Sequence, residues 1–501
     1  MSGVLLALSF PRYGHPAFAW IALVPLLVVL FERPRNWPSF QPQRAFALGV
    51  ITGAGYFGGT VYWTGTTIRT FGGLSWPVAV LAAALLIAYL ALFPGLFALA
   101  LAWLNSRFGP RSIMLAPAIW VTTELGRTYF WSGFPWLLLG ISQTTVLPVA
   151  QSASVVGVFG VSALVALVSA AIAYFVISRS RESIATLAVV VMFLGAVVLW
   201  GSNRIAKGAL TQQGSPVRVA LIQGNIPQDQ KWDAARANQI FETYLELTRN
   251  AARQGAQLVI WPESATPFYF EEDRAAGERI RQLVRETGIE LLFGTDEMEH
   301  STPPAYFNSA FLLRRDGTTA AVYRKMHLVP FGEFVPLKSL LFFVGPLVES
   351  AGDFTPGRGM VMLPTSAGPI STAICYEIVY PGLVRSAVLG GSQLLTTITN
   401  DAWYGFSSAP YQHFVQASMR SIEEGRYLAR AANTGISGFI DPYGRVLQQS
   451  RIFERTVVLG EVRMVGERTI YGKIGDLCAY ACLALTLMAL AGATLVRTRE
   501  R

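Results

Sequence analysis

Histidine and cysteine are scarce in this 501-residue chain, with four of the first and three of the second. His15, His300, His327 and His413 are scattered, without H-x-x-H or Cys/His spacing, so no metal site is expected. A G-x-x-x-x-G-K-S/T phosphate loop is also missing, which leaves ATP use unsupported and no cofactor expected. Two cysteines, Cys478 and Cys482, stand four apart in the last apolar run, where cysteine is more often a small buried hydrophobe than a ligand. Cys375 is thereby left without a partner for an intramolecular disulfide, a setting that suits a nucleophile better than a staple. Charged residues make up only 14% of the chain. The net charge of +9 raises the question of nucleic acid, but no basic block interleaved with aromatics is present, and much of the excess lies in short loops between apolar runs. No nucleic-acid partner is expected.

What the chain has is apolar length. It is 52% hydrophobic with a mean hydropathy of +0.41, too apolar for an ordinary soluble enzyme. The apolar residues crowd before about residue 202 and after about residue 475. This predicts an α-helical membrane domain over 1–202 with about seven spans, a domain of soluble composition over 216–470 and a transmembrane helix over 475–496. Candidate spans lie near 3–10, 18–31, 45–66, 76–104, 113–125, 149–177, 184–200 and 475–496. The first is short and has neither a basic leader nor an A-x-A site, so a cleavable signal peptide is not expected. Arg33, Arg35 and Arg44 share one loop, Arg107 and Arg111 another, Arg179 and Arg181 a third, and Arg497, Arg499 and Arg501 end the chain. The positive-inside rule places all four groups in the cytoplasm, with both termini, and puts the 216–470 domain outside. In a bacterium this is a multi-pass protein of the inner membrane with a periplasmic domain. Glu124 and Arg127, three apart, are expected to pair on one helix face rather than to touch substrate.

From Pro216 the pattern changes to short strands alternating with amphipathic helices. Strands are predicted over 217–223, 258–261, 290–294, 394–399 and 457–462, with a hairpin whose arms, 311–314 and 320–323, flank Asp316 and Gly317. Helices are predicted from the Asp233 cap to about Arg253, over 272–287 and over 410–432. The run 331–354 holds more apolar residues than a soluble loop should; it reads either as a buried helix or as an interfacial arm that gates lipid.

Three strand ends carry chemistry. The run 368–380, G-P-I-S-T-A-I-C-Y-E-I-V-Y, delivers Cys375; L-V-I-W-P-E at 258–263 delivers Glu263; Y-R-K-M-H-L-V-P-F-G-E at 323–333 offers Lys325. An unperturbed thiol has a pKa of about 8.5, so a general base or a nearby cation is needed to raise its nucleophilicity at neutral pH. Glu263 is the candidate base, Cys375 the nucleophile, and Lys325 the cation that meets the oxyanion formed on attack at an acyl carbonyl.

In order and spacing these motifs resemble the Glu, Lys and Cys motifs of the nitrilase, or carbon-nitrogen hydrolase, superfamily, and the last two have the wording of a membrane-embedded branch. The resemblance covers essentially the whole chain. It implies a polytopic α-helical membrane domain plus an α/β nitrilase-like α-β-β-α sandwich, which periodicity alone does not give. It also implies acyl transfer from a phospholipid, with phosphatidylethanolamine the expected donor, through a thioester on Cys375 to a diacylated apolipoprotein. Glu333, Tyr376 and Glu377 are supporting candidates: Glu333 tunes the charge around Lys325, while Glu377 either orients the pocket or only forms a salt bridge. Trp232, Asn308 and Trp403 are pocket candidates. A membrane-tethered amidase or nitrile hydrolase is the competing enzyme reading, and an inactive lipid-binding scaffold or transporter the competing reading of another class.

Overall fold

A computed structural model describes residues 1–32, 41–330, 332–334 and 354–495. The chain divides into two compact units, one of residues 1–66, 75–207 and 474–501, the other of Thr67–Leu74 and Gly208–Lys473.

The first unit is helical. By length and composition, Trp76–Phe108, Ala153–Ser178, Arg181–Lys207 and Leu477–Leu495 are able to cross a membrane. A fifth candidate is the pair Pro42–Thr60 and Trp63–Gly72, bent by 54°. Apolar side chains such as Leu81, Leu85, Val189, Met192 and Leu199 are exposed, as lipid-facing side chains would be. Gly49 and Gly53 let Pro42–Thr60 approach Trp76–Phe108 closely: a Cβ on Gly53 would lie 2.6 Å from the Ala91 Cα.

Among the described residues, fewer helices meet this test of length and composition than the eight runs read from hydropathy. The first three of the expected segments fold as the six-residue helix Ser2–Ala7, the short pieces within Pro16–Phe31, and the bent pair. The run near 113–125 becomes a 3-10 turn, Pro110–Leu115, followed by the 14-residue helix Ala116–Tyr129. Apolar composition sets where a segment is buried, but prolines and turns set how long its helix runs.

The expected Glu124–Arg127 pair is also corrected. Glu124 Oε1 accepts from the Leu139 N–H at 2.6 Å, and Arg127 donates to the Phe134 and Trp136 carbonyls at 2.9 and 2.8 Å. Each of these buried side chains satisfies backbone groups of the stretch that follows its helix.

The second unit contains two six-stranded sheets among the described residues. In chain order the strands are β1 (Pro216–Gln223), β2 (Leu258–Ile260), β3 (Glu290–Glu299), β4 (Ala305–Leu313), β5 (Thr319–Arg324), β6 (Leu363–Thr365), β7 (Gly368–Ile374), β8 (Leu394–Thr399), β9 (Leu428–Ala432), β10 (Gly438–Ile440), β11 (Val446–Gln449) and β12 (Thr456–Arg463). The sheet orders are β12-β1-β2-β3-β4-β5 and β11-β10-β9-β8-β7-β6. Each has a parallel core, β1-β2-β3 in one and β7-β8-β9 in the other, flanked by antiparallel strands.

Alternation explains the layers. Ala220, Ile222, Val259, Trp261, Leu291, Phe293, Phe311 and Leu313 pack on Ile240, Phe241, Tyr244, Ile280 and Leu283 of the helices Ala234–Arg253 and Arg274–Thr287. Their neighbours Val219, Leu221, Leu258, Ile260, Leu292 and Leu312 are equally buried on the face that meets the second sheet, β1 against β9 and β4 against β7. With Pro381–Leu389 and Ala409–Glu424 packed together on the second sheet, the result is an α-β-β-α sandwich.

Asp233 and Asp273 cap their helices by accepting from Ala235 and Ala276 N–H groups. The helix expected over 410–432 is shorter. It stops at Gly425, whose φ of +63° ends the helix, and Leu428–Ala432 is the strand β9 between β8 and β10. L-A-R-A-A has helical propensity, and pairing on both sides overrides it. Most of the 331–354 run lies outside the described residues, as do Arg33, Arg35, Arg497, Arg499 and Arg501.

Candidate active site

The carboxyl ends of the parallel strands converge on one site, as is general for open α/β sheets. β2 runs into Trp261, Pro262 and Glu263. Trp261 is pinned by its Nε1–H bond to Thr248 Oγ1 at 2.8 Å. The Gly294 N–H donates to the Pro262 carbonyl at 3.2 Å, and the Gly294 carbonyl accepts from Ala265 at 2.7 Å, so β3 clamps the tip that holds Glu263.

The Glu263 carboxylate is fully engaged. Oε1 accepts from Asn308 Nδ2 at 2.8 Å and Lys325 Nζ at 3.2 Å, and Oε2 from the Asn400 N–H at 2.9 Å. Burial by itself pushes this carboxyl up, but Lys325, the Asn308 bond and Lys231 together hold it below the usual carboxylate range.

Lys325 follows β5 and is 1% exposed. Its Nζ also meets Glu333 Oε1 at 2.8 Å. Burial opposes its charge, yet Glu263 and Glu333 outweigh that and hold its proton well above the ordinary lysine range. Asn308, on β4, bridges the two carboxylates, since its Nδ2 also donates to Glu333 Oε1 at 3.0 Å. Glu333 Oε2 accepts from the Val329 N–H at 2.8 Å, which closes the loop after Lys325 back on itself.

Cys375 is the first residue beyond β7 and is 7% exposed, with a φ of +54°. That left-handed conformation is unusual for a residue with a Cβ and breaks the strand sharply into the 3-10 turn Cys375–Val379. Burial pushes the thiol up, the Glu263 carboxylate adds to this, and Lys325 opposes it. The resting group is therefore a thiol within electrostatic reach of the Glu263–Lys325 pair.

Glu377 holds the turn and the lysine loop together. Oε1 accepts from Tyr323 Oη at 2.9 Å, Met326 N at 2.7 Å and His327 N at 3.1 Å; Oε2 accepts from Ile374 N at 2.8 Å. It thus joins the residues after Lys325 to the residue before Cys375. Of its two expected roles the geometry favours orientation, and among the described residues it forms no salt bridge. Tyr376 is buried, with its ring edge-on to Tyr380 at 5.3 Å.

The pocket candidates separate. Asn308 lies inside the carboxylate cluster. Trp232 is half exposed and lines a cavity of about 480 Å³ with Pro267, Phe268, Tyr269, Glu272, Asp273 and Asp296. Trp403 sits in the turn Asp401–Tyr404, its ring edge-on to Phe71 at 5.0 Å and its carbonyl accepting from Thr67 Oγ1 at 2.9 Å.

Sequence reading missed a supporting layer. Asp401, at the end of β8, accepts from Thr399 Oγ1 at 2.9 Å and from Arg430 at 2.8 Å, and lies 3.0 Å from His413 Nδ1. Burial opposes its charge, but Arg430 and His413 prevail and hold its carboxyl down at about 2. His413 Nε2 donates to the Cys375 carbonyl at 3.2 Å, so this buried network braces the backbone of Cys375. Lys231 and Asp296 were also missed. The signal that marks all of these, burial of a charged side chain, has no counterpart in sequence spacing. Among the described residues no group of three His, Cys, Asp or Glu side chains is placed to hold a metal ion.

Comparisons with known proteins give family matches on both halves of the chain. Residues 218–470 match the carbon-nitrogen hydrolase family, and residues 2–171 match the apolipoprotein N-acyltransferase N-terminal domain. The apolipoprotein N-acyltransferase of Geobacter metallireducens is 40% identical over 97% of this chain and 92% of its own length. That of Methylococcus capsulatus is 36% identical over 95% and 91%. Among solved structures, an amidase from Nesterenkonia sp. is 23% identical, covering 54% of this chain and 97% of its own, with a TM-score of 0.41. With both halves matched and relatives aligned over nearly its full length, the chain belongs to the apolipoprotein N-acyltransferase family.

Proposed function

We propose that the protein transfers a fatty acyl chain from a membrane phospholipid, phosphatidylethanolamine in the first place, to the α-amino group of the N-terminal diacylglyceryl-cysteine of apolipoproteins. The observation that carries the reading is the Lys325 ammonium held between Glu263 and Glu333 beside a Cys375 presented on a positive-φ turn. A general base for the thiol proton and a fixed cation for the oxyanion are what thiol acyl chemistry needs.

Because the thiol is pushed up and Glu263 held down, deprotonation in the empty site is uphill. Proton transfer from Cys375 to Glu263 therefore accompanies attack rather than preceding it. The sulfur adds to the ester carbonyl and the oxyanion faces Lys325. Collapse breaks the ester C–O bond, and the lysophospholipid oxygen leaves with the proton from Glu263. In the second half the acceptor amine adds to the thioester and gives a proton to Glu263. The C–S bond then breaks, and the departing sulfur recovers that proton. Water must be kept from the thioester while it waits.

The arginine-rich loops support an inner-membrane protein with both termini cytoplasmic and the 216–470 domain periplasmic. Incubating the purified protein with phosphatidylethanolamine alone, and weighing it intact, tests the cycle. A fatty-acyl increment located on Cys375, discharged by a diacylated lipopeptide and not by water, is expected in the wild type and absent in Glu263→Gln. Loss of the increment to water alone would indicate a hydrolase, and an increment in Glu263→Gln would remove Glu263 as the base.

A further inference from the structure

The loop between β1 and the helix Ala234–Arg253 carries a cation that the three proposed catalytic residues leave unused. Lys231 is 5% exposed. Its Nζ donates to the backbone carbonyl of Glu263 at 3.2 Å, and among the described residues that is its one hydrogen bond, with no ion pair. An ammonium has three N–H donors, so two remain unspent in a buried place where an unsatisfied charge is costly. Such a group is available to a developing negative charge.

The surroundings name that charge. Lys231 is coupled electrostatically to Glu263 after β2, to Asp296 on β3 and to Cys375 after β7. Cys375 in turn faces Glu263, Lys325 and Asp401, and its charge is felt by Tyr404. Asp296 is itself anchored, accepting from Ser264 Oγ at 2.8 Å. Glu263, Glu333 and Asp296 would stand against Lys325 alone if Lys231 were absent. Converting Cys375 to a thiolate, or placing an oxyanion beside it, would add a further negative charge to an already negative cluster.

We infer that Lys231 is a positioning cation for Cys375, supplying the second positive charge that lets the thiolate and the oxyanion form beside three carboxylates. The inference rests on Cys375 being the nucleophile but not on the identity of the acyl donor. Burial draws Lys231 down to about 8, with Glu263, Asp296 and Cys375 resisting, so it is charged at neutral pH and loses its charge above about pH 8. The thiol then loses its help in the range where an ordinary thiol would become fully reactive.

Alkylation of Cys375 by iodoacetamide reads thiolate formation without any lipid. The full chain in detergent, carrying Cys478→Ala and Cys482→Ala, reports on Cys375 alone. A thiol pKa raised by about one unit cuts the thiolate about tenfold, so Lys231→Met, with one positive charge fewer in the cluster, should alkylate about tenfold more slowly at pH 7. Lys231→Arg keeps its charge at every working pH, so it should react near the wild-type rate at pH 7 and outpace the wild type above about pH 8. Unchanged rates in Lys231→Met would overturn the inference. So would faster alkylation in that variant, which would mark the lysine as a structural prop, or an arginine variant as slow as the methionine one. If wild-type protein gains no acyl increment from phosphatidylethanolamine while alkylation still follows residue 231 in this way, the donor assignment fails and the role of Lys231 stands.

Discussion

Replacing Glu377 by glutamine tests how much of the site's order rests on one buried carboxylate. All four groups around it are donors, three on Oε1 and one on Oε2, so it is bound as a carboxylate although burial raises its pKa. A glutamine keeps one acceptor oxygen. Turned to serve Tyr323, Met326 and His327, it points an NH2 at the Ile374 N–H, and a buried donor is left facing donors. That costs about 1–3 kcal/mol, and the remaining bonds fall from charge-assisted to neutral, about 1 kcal/mol each. Removing a buried charge gives part of this back, for a net loss of about 3 kcal/mol. In a domain of this size about 2–4 °C of Tm accompanies each kcal/mol, so a fall of roughly 6–12 °C is expected in detergent. Since the four donors bracket Lys325 and Cys375, acyl-enzyme formation should fall about 100-fold through misplacement. Tyr323→Phe removes one donor only and should lose about 1–2 kcal/mol with its rate within about threefold. A Glu377→Gln variant with wild-type Tm and rate would refute the reasoning, and one that lost rate at unchanged Tm would make Glu377 a chemical participant instead of a tie.

Other sites give separate tests. A Cβ on Gly294 would lie 2.6 Å from the Glu263 Cα and 2.7 Å from the Pro262 carbonyl, so Gly294→Ala should displace the proposed base Glu263 and lower acylation about 100-fold in protein that still gives a cooperative melt. Asp401→Asn leaves the buried Arg430 uncompensated and should cost about 3–5 kcal/mol, read as a lower Tm at neutral pH. Because the Asp401 carboxyl is held down at about 2, its contribution is present above the ordinary carboxylate range and lost as pH falls towards about 2; the variant should lack that acid-limb loss. Glu424 runs the other way. Burial, reinforced by Glu423, pushes its carboxyl up to about 8, and neither of its oxygens has a hydrogen-bond partner. The folded state therefore holds a proton that the unfolded chain releases, and stability should decline as pH rises from the ordinary carboxylate range through about 8. Glu424→Gln should flatten that decline in melts across the range and leave the Tm near pH 5 unchanged.

The sequence made the strand ends legible because a strand buried on both faces reads as an unbroken apolar run, and a polar residue that ends it stands out: L-V-I-W-P-E and A-I-C-Y-E are examples. Asp233 was legible as a cap for an equally local reason, a short acceptor before an amphipathic run, whereas the next helix begins two residues later than expected, after its own cap Asp273. What stayed hidden depends on distant pairing. Leu428–Ala432 is a strand because β8 and β10 flank it, and Arg430 is buried because Asp401 awaits it there. Lys231 reads as an ordinary loop lysine until the chain brings β2 and β7 around it. The number of apolar runs likewise told where the membrane-like part lies, but not where prolines and turns would divide it.

The grouping of Thr67–Leu74 with the second unit has a consequence for biosynthesis. These residues leave the ribosome long before β1 exists, so the stretch that supports Trp403 through Thr67 and Phe71 must wait for its own domain. A fragment cut at 208–473 would carry every proposed catalytic side chain and still lack a piece of its own packing. Supplying 67–74 as a separate peptide should restore order around Trp403, whose indole fluorescence offers a direct view of the docking.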